Sequence, residues 1–282
     1  MTTQFLEGWD FESEEQDFKA LMDFQEYCGG EQFIYEWSDV RQRIYAEAGF
    51  YQKWEVTDPL LDYTVNQNKT NGCVSYGVSA AIEDSFCLAQ QKRKEVEVFL
   101  SCAPWLYGGY HNMIKGRPGT GGCSMSGMMR FIAEYGILPY DTQPKIYADG
   151  EVDWNRNAAS WKSIFARFGE VAEQYQIKVA KLPRNYDDIV ACLKAGYTVP
   201  YGTDKKSALG ADGWYRLSGS TAHCMCFSGY GDGFTFNKNS WRDGRGKQQL
   251  TDVRKQVDSR YFDAFVVLDV ERTRKGKRDF RL

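Results

Sequence analysis

Few residues in this sequence can form a nucleophilic pair. Cys73 stands in QNKTNGCVSYGVSAAIED, residues 67–84, at the mouth of an apolar helical pattern. A cysteine attacks as its thiolate, and the free thiol pKa of about 8.5 falls at a helix N-terminus or beside a histidine cation. The chain has eight cysteines but only two histidines, so the partner is His111 or His223. His111 lies in a Gly-rich stretch and reads as a surface loop residue, whereas His223 opens the alternating strand HCMCFSGYG. Asn239 follows inside FNKNSW. An amide oxygen on the far ring nitrogen fixes an imidazole's tautomer, and a neighbouring indole, here Trp241, shields that bond from water. Gln67, upstream of the cysteine, can donate its side-chain amide to a developing oxyanion together with the Cys73 N–H. Cys73 alone would be read as a buried structural thiol. With Gln67, His223 and Asn239 in order, the four read as a site.

The elements that must position these residues follow from periodicity. Val74, Val78, Ile82 and Phe86 recur at i+4 and predict a buried helix from Cys73 to about Gln90. Before it, LLDYTV is extended and Asn71-Gly72 favours a turn. Helices are also expected over 11–27, from an N-cap at Ser38 to near Gly49, along MSGMMRFIAEYG and across 154–175. The Gly- and Pro-rich run 101–122 reads as a loop. From about residue 176 the pattern turns to short β-like runs, IKVAKL, YTVPYG, HCMCFSGY, FTFNKNSW and YFDAFVVLD, with one inserted helix, YDDIVACLKAG. A helical lobe is thus followed by a mainly β lobe.

Composition sets the bounds. At 282 residues, 43% hydrophobic and 15% aromatic, the chain can bury a substantial core. A net charge of −3 gives no whole-molecule attraction to nucleic acid, and no apolar run is long enough to span a bilayer. The first residues carry no basic and apolar secretion signal, and eight cysteines without a CxxC pair make no disulfide framework. The expectation is a reducing, cytoplasmic setting, or a virion if the source is viral. HCMC, residues 223–226, lacks the two further ligands a zinc site needs. Residues 1–56 hold thirteen acidic against four basic side chains, leaving them near −9 and the remainder near +6. That segment is expected either to dock on the rest electrostatically or to form a solvated acidic helix pair. The last twelve residues, with six basic ones, read as a solvated tail.

Five blocks together resemble the papain-like cysteine peptidases: Gln67 to Glu83; Leu100-Ser101; Gly121-Gly122 with FIAEYGILPYD; YDDIVACLKAGYTVPYG; and AHCMCFSGYGDG with FNKNSW. They span roughly residues 60–270. The resemblance implies an α+β, two-lobed fold with a helical N-terminal lobe, a C-terminal antiparallel β-barrel-like lobe and the site in the cleft between them. It implies an acidic N-terminal extension over 1–56, a helical lobe over 57–175, a β lobe over 176–270 and a tail over 271–282. It makes Cys73 the nucleophile, His223 the base and acid, Asn239 the orienter and Gln67 the oxyanion donor. Gly121 and Gly122 become main-chain contacts for a peptide or protein substrate, with Trp241 beside them, and no metal or cofactor is required.

Departures from the family are as informative. Thr70 and Val74 stand where its members carry a bridged cysteine and an aromatic, and RDGRGKQQL replaces a Gly-rich stretch after Asn-Ser-Trp. The acidic segment lacks the interspersed Glu-Arg-Phe-Asn-Ile-Asn signature of common prosegments; it is expected to cover the cleft, cap the lobe or bind a partner, a role the basic tail could share. Met125 and Met128 suggest an adaptable apolar pocket wall. Two other readings stand beside peptide hydrolysis: a catalytically silent structural or assembly protein of the same fold, and a thiol amidase acting on a non-protein substrate.

Overall fold

Phe, Leu and Met alternate with charge after residue 10, and the apolar set buries one face of a helix. In a computed structural model that describes residues 8–27, 32–50, 54–55, 67, 71–93, 99–116, 121–140, 161–241 and 244–272, a 3-10 turn at Phe11–Ser13 leads into α1 (Glu14–Tyr27). Leu21 of that helix is fully buried. Strand β1 (Ile34–Tyr35), α2 (Trp37–Gly49) and β2 (Trp54–Glu55) follow. Helix α2 starts earlier than its sequence suggests: the N-cap is Glu36, not Ser38, and Glu36 makes no side-chain capping bond. The indole of Trp37 is instead held by Asp188 at 3.2 Å. A tertiary bond thus sets the helix start in place of a local cap.

Helix α3 (Cys73–Arg93) runs one turn beyond the expected end, with Val74, Val78, Ile82 and Phe86 buried as a stripe. The stretch 101–122, expected to be a loop, instead opens with α4 (Ala103–Gly109) and a π-helix (Tyr110–Ile114). Pro104 falls in the first turn, where its missing N–H costs nothing, and Gly108 and Gly109 let Trp161 and Phe131 press against the helix backbone. These residues allow close packing here and do not break the helix. Helix α5 (Met125–Tyr135) is capped by Ser124, whose hydroxyl accepts from the Gly127 N–H at 3.1 Å. Helix α6 (Trp161–Ala172) completes an aromatic cluster in which Trp105 packs on Trp161 and stacks on Phe165. Residues 60–65 and the basic tail beyond Arg272 lie outside the described residues.

The second half is built on strands β3 (Tyr175–Lys181), β4 (Val199–Leu209), β5 (Trp214–Gly231), β6 (Phe234–Lys238), β7 (Arg245–Gln249) and β8 (Phe262–Arg272). Helix α7 (Tyr186–Lys194) is inserted after β3, and α8 (Leu250–Val257) after β7. The sheet order is β1-β3-β8-β4-β5-β6-β7, with β2 on β5. Pairing is antiparallel except for β1 with β3 and β5 with β7. The acidic N-terminal segment therefore contributes strands to the same sheet as the C-terminal half. Among the described residues no helix is long and apolar enough to cross a membrane.

The two halves meet where α3 lies across β5. A Cβ on Gly77, one turn after Cys73, would stand 2.8 Å from Cys224 Sγ and 3.2 Å from the Met225 carbonyl. Only a residue without a side chain permits this approach. One residue pair then fastens the contact: Lys238, at the end of β6, donates to Asp84 of α3 at 2.5 Å, and both are buried. Gly77→Val is expected to destabilise the protein by about 1–3 kcal/mol through overpacking, read as a lowered midpoint in thermal unfolding.

Candidate active site

Helix α3 delivers Cys73 at its first turn, where unpaired backbone N–H groups and the helix dipole favour negative charge. Strand β5 delivers His223. Cys224, the residue following His223, lies against α3 one turn from Cys73, since a Cβ on Gly77 would stand 2.8 Å from its Sγ. The β5–β6 ladder pairs Cys226 with Lys238 and Phe227 with Asn237. Carried past the end of the ladder, this register sets Trp241 opposite His223 and Asn239 on the diagonal. His223 accordingly donates from Nε2 to Asn239 Oδ1 at 2.7 Å, and its ring stacks on Trp241 at 3.6 Å. Asn239 Oδ1 also accepts from the Trp241 N–H at 3.3 Å, which fixes the amide orientation. With Nε2 committed, Nδ1 is the ring nitrogen able to exchange a proton with a thiol.

Gln67 is tied to the same strand. Its N–H donates to the Ser240 carbonyl at 2.9 Å, and its Oε1 accepts from the Ser240 hydroxyl. The amide NH₂ is then the end that can donate to an oxyanion. Ser240 is a residue that sequence reasoning missed, although it sits between two it named. Gly121 and Gly122 precede the buried Cys123, and Met125 and Met128 are both fully buried, with Met125 Sδ 3.7 Å from Cys224 Sγ.

The N-terminal segment crosses this site. Gly8 passes so close to Cys73 that a Cβ there would stand 2.8 Å from Sγ. The Cys123 N–H donates to the Gly8 carbonyl at 2.9 Å, and the Asp10 N–H donates to the Cys123 carbonyl at 2.9 Å, with Trp9 paired in parallel to Cys123. The Trp9 indole lies over Gly202 of β4, in a hollow that exists because residue 202 has no side chain. Its Nε1–H donates to Glu14 at 2.9 Å. Glu14 in turn accepts the N–H groups of Met125 and Ser126, and Asp17 accepts the Ser124 hydroxyl and pairs with Lys115 at 3.2 Å. The acidic segment is thus docked through carboxylates on the N-terminus of α5, the positive end of that helix. The GWD stretch carries no sequence signal of this role, because a strap over a cleft has no periodicity of its own.

Coverage by the strap and by Trp241 reverses one expectation. Burial pushes the Cys73 thiol up to about 12, against a smaller lowering by the backbone N–H groups around it. Burial also takes His223 down to about 4, against the opposing bond to Asn239. In this closed form the thiol and the imidazole are both neutral. The helix terminus does not lower the Cys73 pKa here, because desolvation of the thiolate outweighs it. His111 is a second correction: it is buried within the π-helix and does not lie at the surface. Among the described residues no group of three or more His, Cys, Asp or Glu is placed to hold a metal ion, and the seven described cysteines are free thiols.

Behind Asn239 lies a pocket lined by Tyr76, Ser79, Glu83, Ser101, Lys238 and Ser240. Glu83 accepts the Ser101 N–H at 2.9 Å, and burial holds its carboxyl up at about 8, against the pull of Lys238.

No protein-family model matches this sequence, nor does any curated protein sequence. Solved structures do match. Xylellain, a cysteine protease from Xylella fastidiosa, superposes with a TM-score of 0.57 at 16% identity, covering 79% of this chain and 88% of its own. The fold is papain-like. The Carica candamarcensis cysteine protease CMS1MS2, solved in complex with E-64, aligns with a TM-score of 0.50 at 14% identity over 77% of this chain and 98% of its own.

A folded-state pKa raised from 4.5 to about 8 makes Glu83 favour the fold fully below about 4.5 and lose that contribution as pH rises through 8. Glu83→Gln, which cannot titrate, is expected to lose less stability than the wild type between those two pH values, measured as denaturation midpoints.

Proposed function

We propose that the chain is a cysteine-type peptidase acting through Cys73, His223 and Asn239, held latent in this form by residues 8–10. The observation that carries the reading is the His223–Asn239 bond at 2.7 Å under Trp241, with Cys224, next to His223, lying against α3 one turn from Cys73. Two further bonds support the reading, because Gln67 is tied through its N–H and its Oε1 to Ser240, the residue after Asn239.

Catalysis begins when the strap leaves and water re-enters the site, so that the thiol can pass its proton to His223 Nδ1 and form a thiolate–imidazolium pair. The sulfur attacks the carbonyl carbon of a substrate amide, and the oxyanion is met by the Gln67 side-chain amide and the Cys73 N–H at the start of α3. As the tetrahedral adduct collapses, the C–N bond breaks and the imidazolium protonates the leaving amine. Water, deprotonated by His223, then attacks the thioester, and the thiol is regenerated with release of the acid. Asn239 keeps the imidazole in its productive tautomer throughout. Gly121-Gly122 and the free edge of Cys123 receive the substrate main chain, and Trp241 covers the His223–Asn239 bond. No metal or cofactor takes part in these steps.

A second reading has one observation in its favour. The complete burial of Cys73 suits a silent protein of the same fold, used for binding or assembly. Reactivity and turnover separate the two. In the full-length protein at pH 6, Cys73 is expected to alkylate slowly with iodoacetamide. Glu14→Ala, which removes the acceptor holding Trp9 and the α5 terminus, is expected to accelerate that labelling and to bring out hydrolysis of a peptide library. Within Glu14→Ala, adding His223→Ala is expected to return Cys73 labelling to the rate of an ordinary thiol, and adding Gln67→Ala to lower turnover by about 10²–10³. Fast labelling without peptide turnover would favour the silent protein, unless small amides are cleaved, which would make the chain a thiol amidase.

A further inference from the structure

Tyr107 and His111 stand outside the catalytic set, yet both reach the substrate-facing loop from behind. The Gly121 carbonyl accepts from the Tyr107 hydroxyl at 3.0 Å and faces His111 Nε2 at 3.1 Å. A carbonyl oxygen can only accept, so His111 carries its proton on Nε2 and donates it there. The two side chains are one helical turn apart, and both are buried. Their rings meet edge to face at 4.6 Å, and His111 packs edge-on against Tyr110 at 5.2 Å. His111 reaches this position from a π-helix that follows α4 directly.

From Gly121 the chain passes within two residues to Cys123, whose Sγ lies 3.8 Å from the same imidazole nitrogen. The main chain of Cys123 faces the opposite way. It offers one N–H and one carbonyl to the cleft, and the strap takes both, through Gly8 and Asp10. One short segment is therefore pinned behind at the Gly121 carbonyl and offers a pair of hydrogen-bonding groups in front. Thr70, where the family resemblance would put a cysteine bridged to this block, leaves no covalent tether from the nucleophile side. A hydrogen-bonded clamp is what holds the segment here.

We infer that Tyr107 and His111 are positioning residues that clamp the Gly121 carbonyl and so hold the main-chain edge of residues 121–123 in register for an extended chain lying in the cleft. Its bearing on substrate rests on the peptidase reading above; the clamp on the edge does not, because the strap is itself an extended chain bound there.

Hydrogen exchange in the full-length protein, read by mass spectrometry with residue resolution, tests the clamp. Tyr107→Phe and His111→Leu are each expected to speed exchange of the Cys123 amide by about tenfold, the worth of one lost hydrogen bond. The Met125 and Ser126 amides, held by Glu14, stay protected, so the change is not loss of the strap. His111→Gln, whose side-chain amide can donate to the same carbonyl, restores slow exchange. Wild-type exchange at Cys123 in both Tyr107→Phe and His111→Leu overturns the clamp, as does equal loss of protection at Met125 and Ser126. On peptide substrates in a Glu14→Ala background, His111→Leu is expected to raise KM by about tenfold with kcat nearly unchanged, and His111→Gln to recover it. A fall in kcat at constant KM overturns substrate positioning. Absence of peptide turnover in the Glu14→Ala parent, with the exchange pattern as expected, counts against the peptidase reading while the clamp stands.

Discussion

The approach of α3 to β5 at Gly77 is the constraint on which the site depends. One missing side chain lets a helix from the first half of the sequence lie against a strand from the second, so that the residue beside His223 packs one turn from Cys73. Seven residues further along the same helix, the buried Asp84–Lys238 pair holds the end of β6 against α3, one residue before Asn239. Leaving either charge alone in that setting would be costly, which makes the pair a strict condition on how the halves align. The thiol of Cys73, the imidazole of His223 and the amide of Asn239 thus inherit their positions from two contacts made by other residues.

The same burial that shapes the site also keeps its thiol and imidazole uncharged. A thiolate gains from the α3 terminus, but only while water or a cation shares the task of solvating it. With Gly8 across the sulfur and Trp241 on the imidazole, desolvation dominates and both groups are held in their uncharged forms. The strap is held chiefly by what lies next to it in sequence: Glu14 and Asp17, at the start of α1, bind the N-terminus of α5, and the strap follows from where α1 is fixed. Of the described acidic residues in this segment, Glu14 and Asp17 are the two that meet the positive end of α5.

Much of the candidate site could be read from the sequence because it depends on chain order and local pattern. The i+4 stripe after Cys73 places that thiol at a helix start, and the alternation of HCMCFSGY with the nearby FNKNSW places His223 on one strand and Asn239 just past the end of its neighbour. What misled was composition. Glycine and proline in 101–122 suggested a loop, whereas there they permit Trp161 and Phe131 to pack against a helix. His111 followed that error to a surface position, and Ser38 yielded its capping role to a contact between Trp37 and Asp188 that lies far away in sequence.

Chain order and local pattern alone suffice for the succession of helical and β segments, for singling out Gln67, Cys73, His223 and Asn239, and for the lack of a cysteine at position 70. Periodicity and residue chemistry suffice for these, since each depends on a side chain's own properties and its near neighbours. Only the tertiary structure decided that Gly8 to Asp10 occupy the cleft, that Ser240 orients Gln67, that Tyr107 and His111 grip Gly121, and that the thiol and imidazole are neutral in this form. These are consequences of proximity between distant parts of the chain, and of how much water that proximity leaves, which no spacing along the sequence encodes.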